Sequence, residues 1–298
     1  MSDVGTPPRS VGVNLLLTLR PSHWTKNLIV FAALIFSERL LIPSAAARAV
    51  GAFLAFCALS GVVYIVNDVI DREQDSRHRA KRHRPIASGA LSPRTGLVVA
   101  GVLSVLALGW SFWISTRLGL VASSYVILLT AYSFLLKHVV IVDVLTIAVG
   151  FVVRAIAGAV AVDVPISQWL LVCTILLALF LGLSKRRSEL VSLAGDAADH
   201  RPILGEYSPY LLDQMIGVVT ASTVMSYILY VMESSTVARY SGRGLELTIP
   251  LPLYGILRYL YLVHLKGGGT PSDLLLTDRP LLVCVAVWAL AVIAIIYW

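Results

Sequence analysis

Long apolar stretches separated by shorter polar segments repeat along almost the whole chain. A helix needs about 20 mostly apolar residues to cross a bilayer, and nine stretches approach that length. The pattern therefore predicts an all-α integral membrane protein with nine transmembrane helices. The predicted spans are residues 27–43, 46–67, 94–115, 118–136, 140–162, 167–184, 211–232, 248–265 and 280–298.

No polar segment between these spans has the composition of a separate soluble domain. Residues 1–298 are therefore predicted to form a single polytopic transmembrane catalytic domain. The first 26 residues contain a short apolar run, Val11–Leu19, that leads into Arg20 and Pro21. This run is too short to cross a bilayer, so residues 1–26 are predicted to lie on the cytoplasmic surface of the membrane.

Composition agrees with this prediction and excludes a soluble class. Hydrophobic residues make up 57% of the chain, charged residues make up 14%, and the mean hydropathy is +0.82, which is too apolar for a soluble domain of this size. The net charge of +7 is explained by topology and does not predict nucleic-acid binding, because 17 of the 24 Lys and Arg residues fall on one side of the alternating loops. The positive-inside rule makes that side cytoplasmic.

A plasma (inner) membrane protein is therefore expected, surrounded by membrane lipids, with its N-terminus inside and Trp298 outside. The pattern leaves the oligomeric state open, including a homo-oligomer.

An acidic group closes the second predicted span: Asn67, Asp68, Asp71 and Asp75. The three aspartates are spaced i, i+3 and i+7, and Asn67 lies one turn before Asp71, so all four are predicted to share one helix face. Three carboxylates on one face repel each other unless a cation joins them, and hard oxygen ligands suit Mg²⁺. The spacing predicts a Mg²⁺–diphosphate site, and a solvated helix end is the alternative.

Cations follow the acidic group directly, as a metal–polyphosphate site requires. Arg84 is the favoured phosphate contact because the following Pro85 restricts its backbone. Ordinary positive-inside clustering is the alternative for each of the others. The run consists of Arg72, Arg77, His78, Arg79, Lys81, Arg82, His83 and Arg84.

A second charged group begins where the sixth predicted span ends, at Lys185, Arg186, Arg187 and Glu189. In a helical bundle, the ends of the second and sixth spans can face each other across a central cavity. These residues are therefore predicted to form a second anion-binding site. The alternative is that the cations are snorkelling membrane anchors.

Two further charges, Asp143 and Arg154, lie inside the fifth predicted span. They are 11 residues apart, close to three helical turns, so they share a face. Charges at this depth usually point into the bundle or into a wet cavity, so the two residues either hold helices together or line the site. Lys137, just before this span, and Tyr132, one turn earlier, are predicted to face the same cavity, with Lys137 as a phosphate contact.

The chain lacks the residues that are characteristic of several other catalytic classes. The chain has no P-loop, no GxSxG motif and no HExxH motif. Cys57, Cys173 and Cys284 lie in apolar segments without a CxxC pair, which is typical of buried small hydrophobes. No residue is predicted to act as a covalent nucleophile.

At these residues the chain resembles the UbiA-type intramembrane prenyltransferases. Their first aspartate motif, NDxxDxxxD, is matched by Asn67, Asp68, Asp71 and Asp75, and an RPxxSGxxS-like stretch begins at Arg84. The resemblance covers nearly the whole chain. It implies nine helices around a central cavity that is open to the cytoplasm and to the lipid.

One departure from this family is informative. Ordinary members carry a second aspartate-rich motif near the sixth helix, where this chain has LSKRRSEL. Together with RPSHWTKN, which contains Lys26, and the segment from Asp143 to Ala159, this sequence resembles a branch that joins phosphoribosyl diphosphate (PRPP) to decaprenyl phosphate and releases diphosphate. The product of that branch supplies arabinose to cell-wall arabinan (arabinogalactan and lipoarabinomannan).

The resemblance implies that the diphosphate and Mg²⁺ bind at the acidic group. The residues expected to bind the two substrates, PRPP and the lipid phosphate, are Lys26, Arg84, Tyr132, Lys137, Asp143, Lys185, Arg186, Arg187 and Glu189. A lipid phosphate is already ionised near neutral pH, because its second pKa is about 6, so no general base is required. The first alternative is transfer of a prenyl group from its diphosphate to an aromatic acceptor. A second is lipid transport, which predicts sites on both faces of the membrane.

Overall fold

The computed structural model describes residues 10–77, 81–192, 202–240, 242–265, 274 and 277–298. Within this part of the chain every regular element is a helix. The α-helices, labelled α1 to α12 in chain order, are Val11–Leu19, Ala32–Phe36, Pro43–Ile70, Arg72–Arg77, Pro93–Ile114, Thr116–Phe134, Val142–Ala161, Gln168–Ser192, Pro209–Met232, Ser234–Arg239, Pro250–Leu265 and Arg279–Tyr297. Short 3₁₀ helices occupy Pro21–Phe31, Lys81–His83, Leu136–His138, Pro202–Glu206 and Leu245–Thr248.

Seven of the described helices are long and apolar enough to cross a membrane: α3, α5, α6, α7, α8, α9 and α12. They coincide with seven of the nine predicted spans. The described residues do not confirm the other two as full-length helices. The eighth predicted span forms α11, which has 16 residues and is about 24 Å long at 1.5 Å per residue.

The first predicted span, residues 27–43, is not one α-helix. The chain forms the 3₁₀ helix Pro21–Phe31, continues as the five-residue α2, and turns at Glu38 with a positive φ of 60°. The tighter 3₁₀ winding rises about 2.0 Å per residue, so Pro21–Phe36 is still roughly 30 Å long. Counting apolar residues on the assumption of an α-helix does not predict this winding. The segment also contains the polar Asn27, which is buried by contacts with other helices.

Helices α3 and α7 form the centre of the bundle. They bury 67% and 56% of their most apolar windows, whereas the other five long helices bury 17–28%. Small residues allow this close packing. At Gly158 of α7, an added Cβ would lie 2.0 Å from the carbonyl oxygen of Val30, so the 3₁₀ segment packs directly on the α7 backbone.

Two apolar cores flank these central helices. One joins α3, α5, α6 and α7 around Phe56 and Tyr125, and the other joins α8, α9, α11 and α12 around Phe180 and Tyr259. Large apolar side chains such as Trp113 remain exposed on the outside, as expected where lipid is the solvent. At one end of the bundle, the C-terminal ends of α3 and α8 lie beside the start of α7, and their polar residues come together there.

Candidate functional site

The acidic group lies where α3 ends. Asp71 leaves the helical conformation (φ −88°, ψ 8°), and α4 begins at the next residue and carries Asp75. The turn is still hydrogen-bonded on both sides, because the Asp71 amide donates to the Asn67 carbonyl at 2.9 Å and the Asp75 amide donates to the Asp71 carbonyl at 2.8 Å. The four motif residues therefore stay within about two turns.

Asp68 and Asp75 converge on a single cation. One terminal nitrogen of Arg84 lies 3.0 Å from Oδ1 of Asp68 and 2.5 Å from Oδ2 of Asp75. Both carboxylates are 2% exposed, and each has a second cation, Arg20 on Asp68 and Lys81 on Asp75. Removing the shared guanidinium would leave two buried carboxylates facing the same point.

Asn67 and Asp71 form a separate pair. The Asn67 amide donates to Oδ2 of Asp71 at 3.0 Å, and Nζ of Lys137 lies 2.5 Å from the other oxygen, Oδ1. Asp71 is the most accessible of the three aspartates, at 21% exposed. The sequence prediction of one shared face is therefore corrected: the break at Asp71 divides the motif into two pairs of oxygen donors.

The RPxxSGxxS-like stretch positions Arg84. Gly89 has a positive φ of 80°, a conformation that favours glycine, and the amide of Leu91 donates to the carbonyl of Pro85 at 2.9 Å. Ser92 then caps α5 by accepting a hydrogen bond from the Thr95 amide at 3.1 Å. These residues hold the loop, and only Arg84 reaches the aspartates. The three residues 78–80 of the basic run, with His78 and Arg79, lie outside the described residues.

Arg20 was not singled out as a site residue from the sequence, yet it pairs with Asp68. Its guanidinium lies 4.6 Å from the ring centre of Tyr64. Burial lowers the pKa of the Arg20 guanidinium, and the charge of Asp68 opposes that effect. A signal was available in the sequence, because Arg20 and Pro21 end the apolar run of α1 at the level of the aspartates. Lys26, in the same 3₁₀ segment, is half-buried.

The oxygen donors fit a divalent cation. One nitrogen of Arg84 contacts both Asp68 and Asp75, so a single positive charge lies between the two carboxylates. Carboxylate oxygens are also the ligands that Mg²⁺ prefers. Within the described ranges no three Asp, Glu, His or Cys side chains converge as a metal-binding group. The three carboxylates are instead paired with four cations. A metal could bind here only if the cations found another anion.

The second charged group does not form one clamp. Arg186 is 2% exposed and is engaged on both sides, with Asp143 at 2.8 Å and Glu189 at 2.8 Å. Lys185 lies 3.6 Å from Glu189 and is 42% exposed, whereas Arg187 points elsewhere and pairs with Asp213 of α9. The prediction that all three cations present themselves to an anion is corrected, because Arg186 is a buried link between α7 and α8.

Tyr207 completes this link and was missed in the sequence. Its hydroxyl donates to Asp143 at 2.9 Å and accepts from the Ile141 amide at 2.7 Å. Ile141 has a φ of 67°, which is strained for a β-branched residue. Burial raises the pKa of Tyr207 to about 12, so the phenol stays protonated and remains a donor at neutral pH.

The two charged groups are neighbours. Lys137 contacts Asp71, and six residues later Asp143 contacts Arg186, so the segment 137–143 joins both groups at one end of the bundle. Tyr132, on the last turn of α6, is close enough to Arg186 to interact electrostatically. The ends of α3 and α8 are therefore linked through the segment that leads into α7, and the central cavity between them stays a prediction.

Arg154 serves a different purpose. Its guanidinium contacts the Asn27 side chain at 2.7 Å, the Tyr125 hydroxyl at 2.5 Å and the Gly150 carbonyl at 2.9 Å. Asp143 instead pairs with Arg186. Of the two alternatives for the intramembrane charges, both residues take the structural one and hold helices together.

We expect Tyr207→Phe to lower the free energy of unfolding by about 1–3 kcal/mol, because a buried carboxylate oxygen and a backbone amide each lose a hydrogen-bond partner. Thermal unfolding in detergent measures this loss. Tyr210→Phe is the matched control, because Tyr210 is 72% exposed and its hydroxyl accepts a hydrogen bond from the side chain of Gln214 on the same helix. Equal stability of the two variants would contradict the role given to Tyr207.

Comparison with known proteins gives concordant results. A family model described as the UbiA prenyltransferase family matches residues 27–278. The chain is 32% identical over 300 residues to the decaprenyl-phosphate phosphoribosyltransferase of Corynebacterium glutamicum, across 98% of this chain and 89% of that protein. It is also 32% identical over 309 residues to the protein of the same name from Mycolicibacterium smegmatis, across 98% of this chain and 95% of that protein.

The fold also has a counterpart among solved structures. A UbiA homolog from Archaeoglobus fulgidus bound to GPP and Mg²⁺ superimposes with a TM-score of 0.72 at 19% identity, across 96% of this chain and 100% of that one. At this level of identity the similarity establishes the fold alone.

Proposed function

Because the chain belongs to the UbiA prenyltransferase family, we propose that it transfers the 5-phosphoribosyl group of phosphoribosyl diphosphate to decaprenyl phosphate and releases diphosphate. The observation that carries this proposal is the similarity, over almost the full length of both chains, to curated proteins named decaprenyl-phosphate phosphoribosyltransferase. The replacement of the second aspartate motif by LSKRRSEL agrees with it.

The donor diphosphate would bind at the acidic group. Asp68, Asp71 and Asp75, with Asn67 beside them, would hold Mg²⁺, which when bound would neutralise charge on the departing diphosphate. The cations that now contact these carboxylates would pair with diphosphate oxygens. Arg84 is the best placed for this exchange, since it already lies between two aspartates.

Phosphoribosyl diphosphate carries another phosphate at C5, which needs its own cations. Lys185 is the most exposed cation of the second group and is the proposed contact. Arg186 would hold Lys185 and Glu189 in position through its buried bond to Asp143. Lys26, Tyr132 and Lys137 remain proposed substrate contacts between or beside the two groups.

The lipid phosphate would attack C1 of the ribose as the bond to diphosphate breaks. The attacking oxygen is ionised near neutral pH, so the protein needs no general base. Its own contributions would be alignment of the two substrates and positive charge that stabilises the transition state. The whole chain would act as one multi-pass catalytic domain in the plasma membrane, with this site on the cytoplasmic side.

Prenyl transfer to an aromatic acceptor is the alternative within the same family. It favours a second carboxylate-rich site for the metal of a prenyl diphosphate. Here the corresponding position holds Arg186 buried against Asp143 and Glu189, with Lys185 beside it. The LSKRRSEL stretch has three cations and one acid in place of a carboxylate-rich motif, which favours phosphoribosyl transfer.

A donor test separates the two functions. Purified protein with Mg²⁺ receives either labelled phosphoribosyl diphosphate with decaprenyl phosphate or labelled prenyl diphosphate with an aromatic acceptor. We expect transfer only in the first mixture and its loss when EDTA is added. Transfer only in the second mixture would refute the proposal and support prenyl transfer.

A further inference from the structure

A cavity of about 530 Å³ lies between α9 and α11. Its walls are almost wholly apolar and include Ile216, Val224 and Leu260. Small residues, Gly217 and Ala221, form the hollow side on α9. Pockets of this size and composition are typical of sites for apolar ligands.

The cavity is a long, narrow groove. Its lining on α9 runs from Asp213 to Ile228, which is about 22 Å along the helix at 1.5 Å per residue. A groove of this length has room for several isoprene units of an extended apolar chain.

The groove has a charged mouth at the end of the bundle that carries the aspartates. Asp213 there contacts Arg187, and Nε2 of His264 lies 3.1 Å from the same carboxylate. Asp213 is 38% exposed, and exposed ion pairs contribute little stability. Arg187 and His264 can therefore exchange this carboxylate for an arriving phosphate at small cost.

The mouth is joined to the candidate site through α8. Arg187 follows directly after Arg186, whose guanidinium contacts Asp143. Helix α8 thus places Arg186 in the buried link with Asp143 and Arg187 at the mouth of the groove.

We infer that this groove binds the apolar chain of the polyprenyl phosphate acceptor, with the phosphate at the mouth beside Arg187. The inference rests on the proposed function and assigns its acceptor to one gap between helices. The chemistry of the ligand follows from the groove and its mouth: a long apolar chain that ends in an anion.

Filling the groove tests the inference. An added Cβ at Gly217 meets no atom within 4 Å, and the same holds at Gly101 on the outer face of α5. Gly217→Leu and Gly101→Leu therefore make the same chemical change inside and outside the groove. Transfer from phosphoribosyl diphosphate is measured with decaprenyl phosphate and with the short acceptor geranyl phosphate.

We expect Gly217→Leu to raise KM for decaprenyl phosphate roughly tenfold, and to raise KM for geranyl phosphate as well, because Gly217 lies only about 6 Å from Asp213 along α9. Gly101→Leu should change neither constant. Ala221→Leu, one turn along the same wall, provides a second variant if the first does not fold. Equal KM values for the long acceptor in Gly217→Leu and Gly101→Leu would overturn the inference. Failure of the unmodified protein to transfer to either acceptor would instead refute the proposed function.

Discussion

Asp71→Asn is expected to reduce kcat for phosphoribosyl transfer by roughly 10²–10³-fold while leaving the protein folded. Asp71 contributes an oxygen at the most accessible position of the acidic group, at 21% exposed. Asparagine keeps the size of the side chain and can still accept from Asn67, but it loses the negative charge that would hold Mg²⁺. Initial rates at saturating Mg²⁺ and thermal unfolding in the same detergent measure the two effects.

Asp163→Asn is the matched control for this change. Asp163 is exposed beyond the end of α7, away from both charged groups, so its substitution should alter neither kcat nor the unfolding midpoint. Full turnover by the Asp71→Asn protein would contradict the proposal that Asp71 holds Mg²⁺. A large loss of stability in Asp71→Asn would show instead that the residue is structural.

Arg84→Met is expected to lower the free energy of unfolding by about 3 kcal/mol. The substitution removes the positive charge that lies between the buried carboxylates of Asp68 and Asp75. Turnover should fall as well, since the same residue is the proposed diphosphate contact. Added Mg²⁺ should raise the unfolding midpoint of this variant more than that of the unmodified protein, because a divalent cation can replace the guanidinium between the two carboxylates.

Arg94→Met serves as the control, because Arg94 is an exposed arginine near the start of α5 and has no place in the site. It should unfold like the unmodified protein and show the same response to Mg²⁺. Equal stability of the two arginine variants would contradict the role given to Arg84. An equal rise of the unfolding midpoint with Mg²⁺ in all three proteins would contradict it as well.

The fold was largely predictable because bilayer thickness sets the length of an apolar helix. Seven predicted spans correspond to α3, α5, α6, α7, α8, α9 and α12. The first span was not predictable in this way. Its buried Asn27 accepts a hydrogen bond from Arg154, 127 residues away in the chain, and no local pattern encodes that contact.

The candidate site was predictable where residues act within a short stretch of the chain. Arg84 lies 16 residues after Asp68, and the spacing of the aspartates already indicated the acidic group. Arg20 and Tyr207 reach their partners across 48 and 64 residues, so their roles appear only when the helices pack.

The number of cations that the second charged group presents to one anion was overestimated for a simpler reason. Consecutive residues on a helix point about 100° apart, so Lys185, Arg186 and Arg187 cannot all face one ligand. The structure sends the first toward Glu189, the second into the bundle and the third to Asp213. Helical geometry alone, applied to the α8 end, would have predicted this division.

The most direct test of the central claim follows both halves of the donor at once. Purified protein is supplied with decaprenyl phosphate, Mg²⁺ and phosphoribosyl diphosphate that carries carbon-14 in the ribose and phosphorus-32 in the outer phosphate of the diphosphate. After organic extraction, we expect carbon-14 in the lipid phase and an equal amount of phosphorus-32 in water as free diphosphate. Retention of both labels in water as intact donor, while prenyl diphosphate with an aromatic acceptor yields a lipid product, would contradict phosphoribosyl transfer.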